Sequence, residues 1–184
     1  MKYLLMMALA MGVYAEDRKP YYVGAAIVAD EVASKGSEQA FTEHRAGEFS
    51  NGGFLVTAGY VVLKEDALAN TVELRVGSSA MMETSENIRT SFVSAYYKPT
   101  YEVARRIGIY GLLGAQYVQM KGKYGDRESM FATALSGGVG AELRLAGDVY
   151  LFGDYTFTPT EKYLDYLGDE VNFSQIAVGV RYVW

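Results

Sequence analysis

Apolar residues recur at every second position through most of this chain, the spacing of a strand with one greasy face. In Phe173–Trp184, Ile176, Val178, Val180, Tyr182 and Trp184 share one face, while Gln175, Ala177, Gly179, Arg181 and Val183 share the other. The segment around Gly138–Leu145 repeats the pattern, with Val139, Ala141, Leu143 and Leu145 set against Gly138, Gly140, Glu142 and Arg144. Thr71–Gly77 places Val72, Leu74 and Val76 opposite Thr71, Glu73 and Arg75. Gly53–Leu63 places Phe54, Val56, Ala58, Tyr60 and Val62 opposite a mixed face holding Gly53, Thr57 and Gly59. Less regular segments of the same kind are Tyr21–Val28, Ile88–Tyr97 and Arg106–Met120, and Val149–Phe157 is a further candidate strand. The pattern thus predicts eight strands, with the sixth covering about Thr133–Leu145.

The connections between them are roughly 29–52, 64–70, 78–87, 98–105, 121–132, 146–148 and 158–172. Long hydrophilic connections alternate with short ones, and Ala146-Gly147-Asp148 has the glycine of a tight turn. A Greek-key sandwich would not sort its connections this way. The alternation predicts an all-β fold, an eight-stranded antiparallel up-and-down barrel with one plain and one elaborated end. Helical candidates, Glu65–Leu68 and Glu161–Leu167, fall in connections.

The polar faces decide which side of the barrel is wet. They mix glycine and alanine with charges of both signs, where a water-washed surface would carry many long solvated side chains. About eight strands enclose a space just wide enough for side chains to fill. The apolar faces are therefore assigned to lipid and the glycine-and-charge faces to the lumen, making this a transmembrane β-barrel. In hydrocarbon an unpaired sheet edge costs several kcal/mol per polar group, so the first and last strands must pair. The 16 tyrosines and one tryptophan fit this reading. Tyr21, Tyr22, Tyr96, Tyr97, Tyr150, Tyr182 and Trp184 are expected to band the plain end, and Phe54, Tyr117, Tyr155, Phe157 and Phe173 the other.

Composition narrows the chemistry. With no cysteine and a single histidine among 184 residues, disulfides, thiolate nucleophiles and multi-histidine metal sites are excluded. A formal charge of −5 argues against nucleic-acid binding. Residues 1–15 (MKYLLMMALAMGVYA) combine Lys2, an apolar run from Tyr3 to Val13 and a small residue, Ala15, before the charges at Glu16 to Lys19. That layout predicts a signal peptide cleaved after Ala15, leaving 16–184 as the barrel domain. The run is shorter than the about 20 residues a spanning helix needs.

With these features the chain resembles the OmpA-like and OmpX-like eight-stranded barrels of Gram-negative outer membranes. Gly179, Tyr182 and the terminal Trp184 match the pattern by which the outer-membrane assembly machinery recognises a last strand, although Ala177 stands where a polar residue is usual. Gly138–Arg144 followed by a tight turn and Leu151–Tyr155 resembles the family's sixth and seventh strands. The resemblance implies residence in the bacterial outer membrane, contact with its lipids and lipopolysaccharide, chain ends in the periplasm and four loops outside. No peptidoglycan-binding domain is expected after the barrel, and the resemblance implies little about function, because members differ in their loops.

Glu73, Arg75, Glu142, Arg144, Asp154 and Arg181 are the candidate lumenal charge network. Buried charges need partners, and adjacency of the last two strands suggests Asp154 with Arg181. The network is expected to act as a solid polar core that sets register; a narrow small-solute channel gated by these ion pairs is the alternative. A lipid A-modifying enzyme is a further alternative, since some small barrels are acyltransferases or deacylases. His44, in Glu43-His44-Arg45, lacks a His-x-Ser context and reads as a solvated loop residue. The first long loop holds Asp30, Glu31, Lys35, Glu38, Glu43, Arg45 and Glu48, and the last holds Glu161, Lys162, Asp165, Asp169 and Glu170. None has calcium-loop spacing, so no cofactor or metal is expected. The chain is expected to be a monomer with a structural, surface-interaction or adhesion role. An external ligand or host surface would be met through the long loops; a general diffusion porin is not expected. A soluble lipocalin-like barrel conflicts with the apolar outer face of the last strand.

Overall fold

The computed structural model describes residues 20–35, 49–81, 89–124, 127–160 and 170–184. Its strands are β1 (Tyr21–Lys35), β2 (Phe49–Glu65), β3 (Leu68–Met81), β4 (Arg89–Ala104), β5 (Ile107–Tyr124), β6 (Arg127–Ala146), β7 (Val149–Thr160) and β8 (Glu170–Val183). Each pairs antiparallel with its neighbours in chain order, and β8 pairs back onto β1, closing the barrel. The closing ladder runs from Tyr22 opposite Val183 to Lys35 opposite Glu170. Closure leaves no edge strand, so the ladder satisfies backbone groups all the way round.

The strands outrun the apolar stretches that announced them. Ladder hydrogen bonds do not require apolar side chains, so pairing continues into polar sequence such as Asp30-Glu31 and Ser78-Ser79. β5 and β6 reach Tyr124 and Arg127, which shrinks the expected 121–132 connection to residues 125–126, outside the described residues. Glu65–Leu68, a helical candidate, is instead the β2–β3 turn, with Glu65 paired to Leu68 and Asp66 at a φ of 43°. Aspartate is among the few side chains that tolerate this left-handed region. Gly147 takes φ 54° in the β6–β7 turn, as its sequence context suggested. The other helical candidate, Glu161–Leu167, the signal segment 1–15 and His44 lie outside the described residues.

Alternation is clearest in β4, where exposed and buried residues succeed one another from Arg89 to Thr100 with only Pro99 intermediate. The outer face is apolar: Ile27, Phe54, Val72, Leu74, Val76, Leu113, Leu135, Val139, Ile176, Val178 and Val180 are all exposed. The inner face holds Asp30, Glu73, Arg75, Lys98, Gln116, Asp154, Gln175 and Arg181, all buried. This is the inside-out distribution of a barrel built for lipid. At the short-turn end Tyr21 lies 5.1 Å from Tyr60 and 6.4 Å from Trp184 between ring centroids, and Tyr182 lies 6.3 Å from Trp184. Four aromatics expected in the outer bands belong elsewhere. Tyr22, Tyr96 and Phe173 are buried inside the barrel and Tyr150 is half-buried. Their even or odd place in the strand, rather than their height, decides this: each shares parity with a lumenal neighbour such as Gly24, Lys98, Gln175 or Phe152.

Candidate functional site: the filled lumen

The lumen is packed in layers. Toward the short-turn end, β3, β4, β6, β7 and β8 each aim charged groups inward. Glu73 and Arg75, two apart on β3, share a face, and Arg75 Nε lies 2.6 Å from Glu73 Oε1. The same guanidinium grips Asp154 on the far wall through two parallel bonds, Nη1 to Oδ1 at 2.9 Å and Nη2 to Oδ2 at 2.8 Å. Such bidentate geometry is the strong form of this contact. Arg181 Nη1 lies 3.1 Å from Glu142 Oε2 and 3.9 Å from Glu73 Oε2. Lys98 Nζ lies 3.2 Å from Glu142 Oε2 and 3.7 Å from Glu73 Oε2. Three carboxylates thus meet three cations, so the cluster is neutral overall.

Aromatic rings enclose the charges. The Tyr22 hydroxyl donates to Glu73, and the Tyr110 hydroxyl donates to Asp154 Oδ2 at 2.8 Å. Lys98 Nζ sits 4.1 Å from the Tyr110 centroid, and the Arg181 guanidinium carbon 4.4 Å from that of Phe152 and 5.0 Å from that of Tyr22. These faces attract cations where water is excluded.

Glycines make the cross-lumen contacts sterically possible. On β2, Gly59 lies between Tyr22 and Glu73; a Cβ there would come within 2.1 Å of the Tyr22 ring. On β6, Gly140 lies between Tyr110 and Asp154; a Cβ would come within 2.5 Å of the ring and 2.6 Å of the Asp154 Cβ. Each missing side chain lets a tyrosine cross an intervening strand to reach a carboxylate.

Beyond the charges lies an apolar layer of Val28, Leu55, Phe92, Val118 and Phe173, with Phe92 and Phe173 centroids 6.3 Å apart. Inward residues therefore include bulky hydrophobes as well as small and charged ones. Polar clusters complete the filling. Asp30 accepts from Ser79 and, at 2.7 Å, from Gln175 Nε2. Thr158 Oγ1 donates to Gln116 Oε1 at 2.7 Å, and the Tyr96 hydroxyl meets Ser136 Oγ at 2.9 Å.

Of the candidate network, Glu73, Arg75, Glu142, Asp154 and Arg181 come together. Arg144 does not. Its side chain is 48% exposed at the rim, 4.0 Å from Asp148, with Nε donating to the Gly147 carbonyl at 2.7 Å. It has inward parity but lies beyond the enclosed lumen. Asp154 pairs with Arg75, not with Arg181 on the neighbouring strand, because an arginine side chain reaches across so narrow a barrel. Lys98, Tyr22 and Tyr110 were missed; the parity of Lys98 with Ser94 and Tyr96 was the available signal. Gly179 and Arg181 face inward on β8, and a Cβ at Gly179 would come within 2.2 Å of the Ala25 carbonyl oxygen. Tyr182 and Trp184 face outward, exposed at the short-turn end. Among the described residues no group of His, Cys, Asp and Glu has the arrangement to hold a metal ion.

Residues 3–183 match the family described as the outer membrane protein beta-barrel domain. Neisserial surface protein A is similar in structure, with 15% identity and a TM-score of 0.63 over 89% of this chain and 97% of that one. Ail, the attachment invasion locus protein of Yersinia pestis, solved with the heparin analogue sucrose octasulfate, has 17% identity and a TM-score of 0.57 over 88% of this chain and 97% of its own. OprG from Pseudomonas aeruginosa has 11% identity and a TM-score of 0.57 over 91% and 97%. At these identities the likeness is one of fold. No curated protein sequence matches the chain.

Proposed function

The chain belongs to the outer membrane protein β-barrel family, and on that premise we propose that it is a structural and surface-contact protein, not a diffusion pore. It resides in the bacterial outer membrane. The observation that carries the reading is the filled lumen, where Arg75, Glu73, Lys98 and Arg181 are at most 3% exposed and an apolar layer lies beyond them. A permeant ion would have to break these pairs and leave charges uncompensated in a low dielectric. With transport closed off, the parts free to act are the outer surface and the long connections 36–48, 82–88 and 161–169.

In this reading both chain ends and the short turns face the periplasm, after cleavage behind Ala15. Gly179, Tyr182 and Trp184 present the last strand to the assembly machinery, and the folded barrel works as a monomer among phospholipid and lipopolysaccharide. Surface contact, as the name of Ail indicates for that protein, is made by the long connections, and no enzymatic activity is assigned. Single-channel recording on refolded protein tests the plug: no conductance is expected, and stable unitary currents would replace this reading with the channel. Replacing 36–48 and 161–169 by short turns should abolish surface binding by cells displaying the protein while leaving heat-modifiable gel migration intact.

A further inference from the structure

We propose that the barrel wall carries a specific site for an anionic phospholipid of the periplasmic leaflet. Its acyl chain would lie in a groove over β5–β7 and its phosphate against Arg105 and Arg106. The inference rests on the outer-membrane reading and on the short turns facing the periplasm.

A cavity of about 800 Å³ opens on the outer surface. Its walls include Tyr101, Ile109, Val139, Tyr155, Ile176 and Val178, and its floor is Gly111, Ala141 and Gly153. The floor glycines differ from the lumenal ones. A Cβ at Gly111 would meet only Pro99 Cγ at 3.9 Å, and one at Gly153 only the Ala177 carbonyl oxygen at 3.7 Å and Val178 Cγ2 at 3.9 Å. The barrel has room for a side chain at both, and glycine weakens a strand. Packing within this chain therefore does not account for them. A second cavity of about 440 Å³, sharing Val139 and Tyr155, continues the depression past Gly137 toward Pro159. Elsewhere the lipid-facing wall carries large residues such as Ile27, Phe54, Val72 and Leu74, interspersed with alanines such as Ala25, Ala58 and Ala95.

Charge marks one end of the groove. Tyr101 pairs with Ile109, and just beyond that rung the β4–β5 turn presents Arg105 and Arg106, both exposed. The carboxylates nearby are engaged: Glu102 pairs with Lys64 at 3.5 Å, and Asp148 with Arg144 at 4.0 Å. Among the described residues no carboxylate pairs with Arg105 or Arg106. Two uncompensated guanidiniums at the membrane surface, below an apolar trough, complement a phosphate headgroup with attached acyl chains. A second copy of this chain would bring the same two arginines together, which argues for lipid as the occupant.

Native mass spectrometry of the refolded full barrel, released from micelles doped equally with phosphatidylglycerol and phosphatidylethanolamine, tests this. Preferential retention of one phosphatidylglycerol is expected. Arg105→Gln with Arg106→Gln should weaken retention about thirty-fold, from a factor of roughly five to six for each arginine at a membrane surface. Gly111→Leu with Gly153→Leu should also displace the lipid, whereas Ala58→Leu, on the outer face of β2, should not. Equal retention of both lipids, or unchanged retention in either double variant, would overturn the proposal, as would a dimer mass in place of bound lipid. Heat-modifiable migration is read in parallel. Wild-type protein that stays water-soluble and never shows it refutes the membrane reading itself, while compact, membrane-folded protein without lipid preference refutes only the site.

Discussion

Arg75 is the keystone of the lumenal cluster, and Arg75→Met isolates what it contributes. Methionine keeps the unbranched length and loses the charge. In the native barrel Arg75 binds both Glu73, at 2.6 Å, and Asp154, at 2.8 Å. At an effective dielectric of about 20, a pair at that separation is worth on the order of 6 kcal/mol before desolvation is subtracted. The variant leaves the six-charge cluster with one excess negative charge. Glu73 retains Lys98 at 3.7 Å, Arg181 at 3.9 Å and the Tyr22 hydroxyl, but Asp154 keeps only the Tyr110 hydroxyl at short range. Breaking one side of a buried pair typically costs about 3–5 kcal/mol. Denaturant titration of protein refolded into vesicles, followed by compact-form gel migration and by the single Trp184, should show a loss of that size. Arg75→Met with Asp154→Leu restores neutrality and should recover most of it. Arg144→Met, at the exposed rim, should cost at most about 1 kcal/mol. If Arg75→Met and Arg144→Met were equally mild, the cluster would not be holding the barrel together.

Other outcomes follow from the two faces of the wall. Gly59→Ala and Gly140→Ala should each destabilise the barrel by about 1–3 kcal/mol, by forcing Tyr22 or Tyr110 off its carboxylate, whereas Gly111→Ala should be neutral or mildly stabilising in the same titration. Val180→Arg, exposed at 48% on the lipid face, should cost on the order of 2–4 kcal/mol if it lies near the bilayer midplane; little change in vesicles would mean that this face does not meet lipid. Trp184→Ala should lower the amount of barrel assembled in outer-membrane fractions, measured by immunoblot, more than it lowers stability of the purified refolded protein.

What could be read from the linear chain was what a period of two encodes. The in-or-out assignment of Val178, Val180, Glu142 and Arg181 depends only on each residue's place in its own strand, and the spacing of polar connections implied the meander. Strand ends were less legible, since pairing at Asp30 or Ser79 is sustained by backbone bonds that no hydrophobic count detects. Partner choice was not legible at all. Whether Asp154 meets Arg75 or Arg181 depends on the stagger of strands around a closed cylinder and on how far a side chain reaches across it. Both are properties of closure, to which every strand contributes at once. The same holds for Arg144, whose parity is lumenal but whose height is not, and for Gly59 and Gly140, whose purpose appears only when a tyrosine from one strand crosses them to reach the next. Local alternation made the wall; three-dimensional closure chose what fills it.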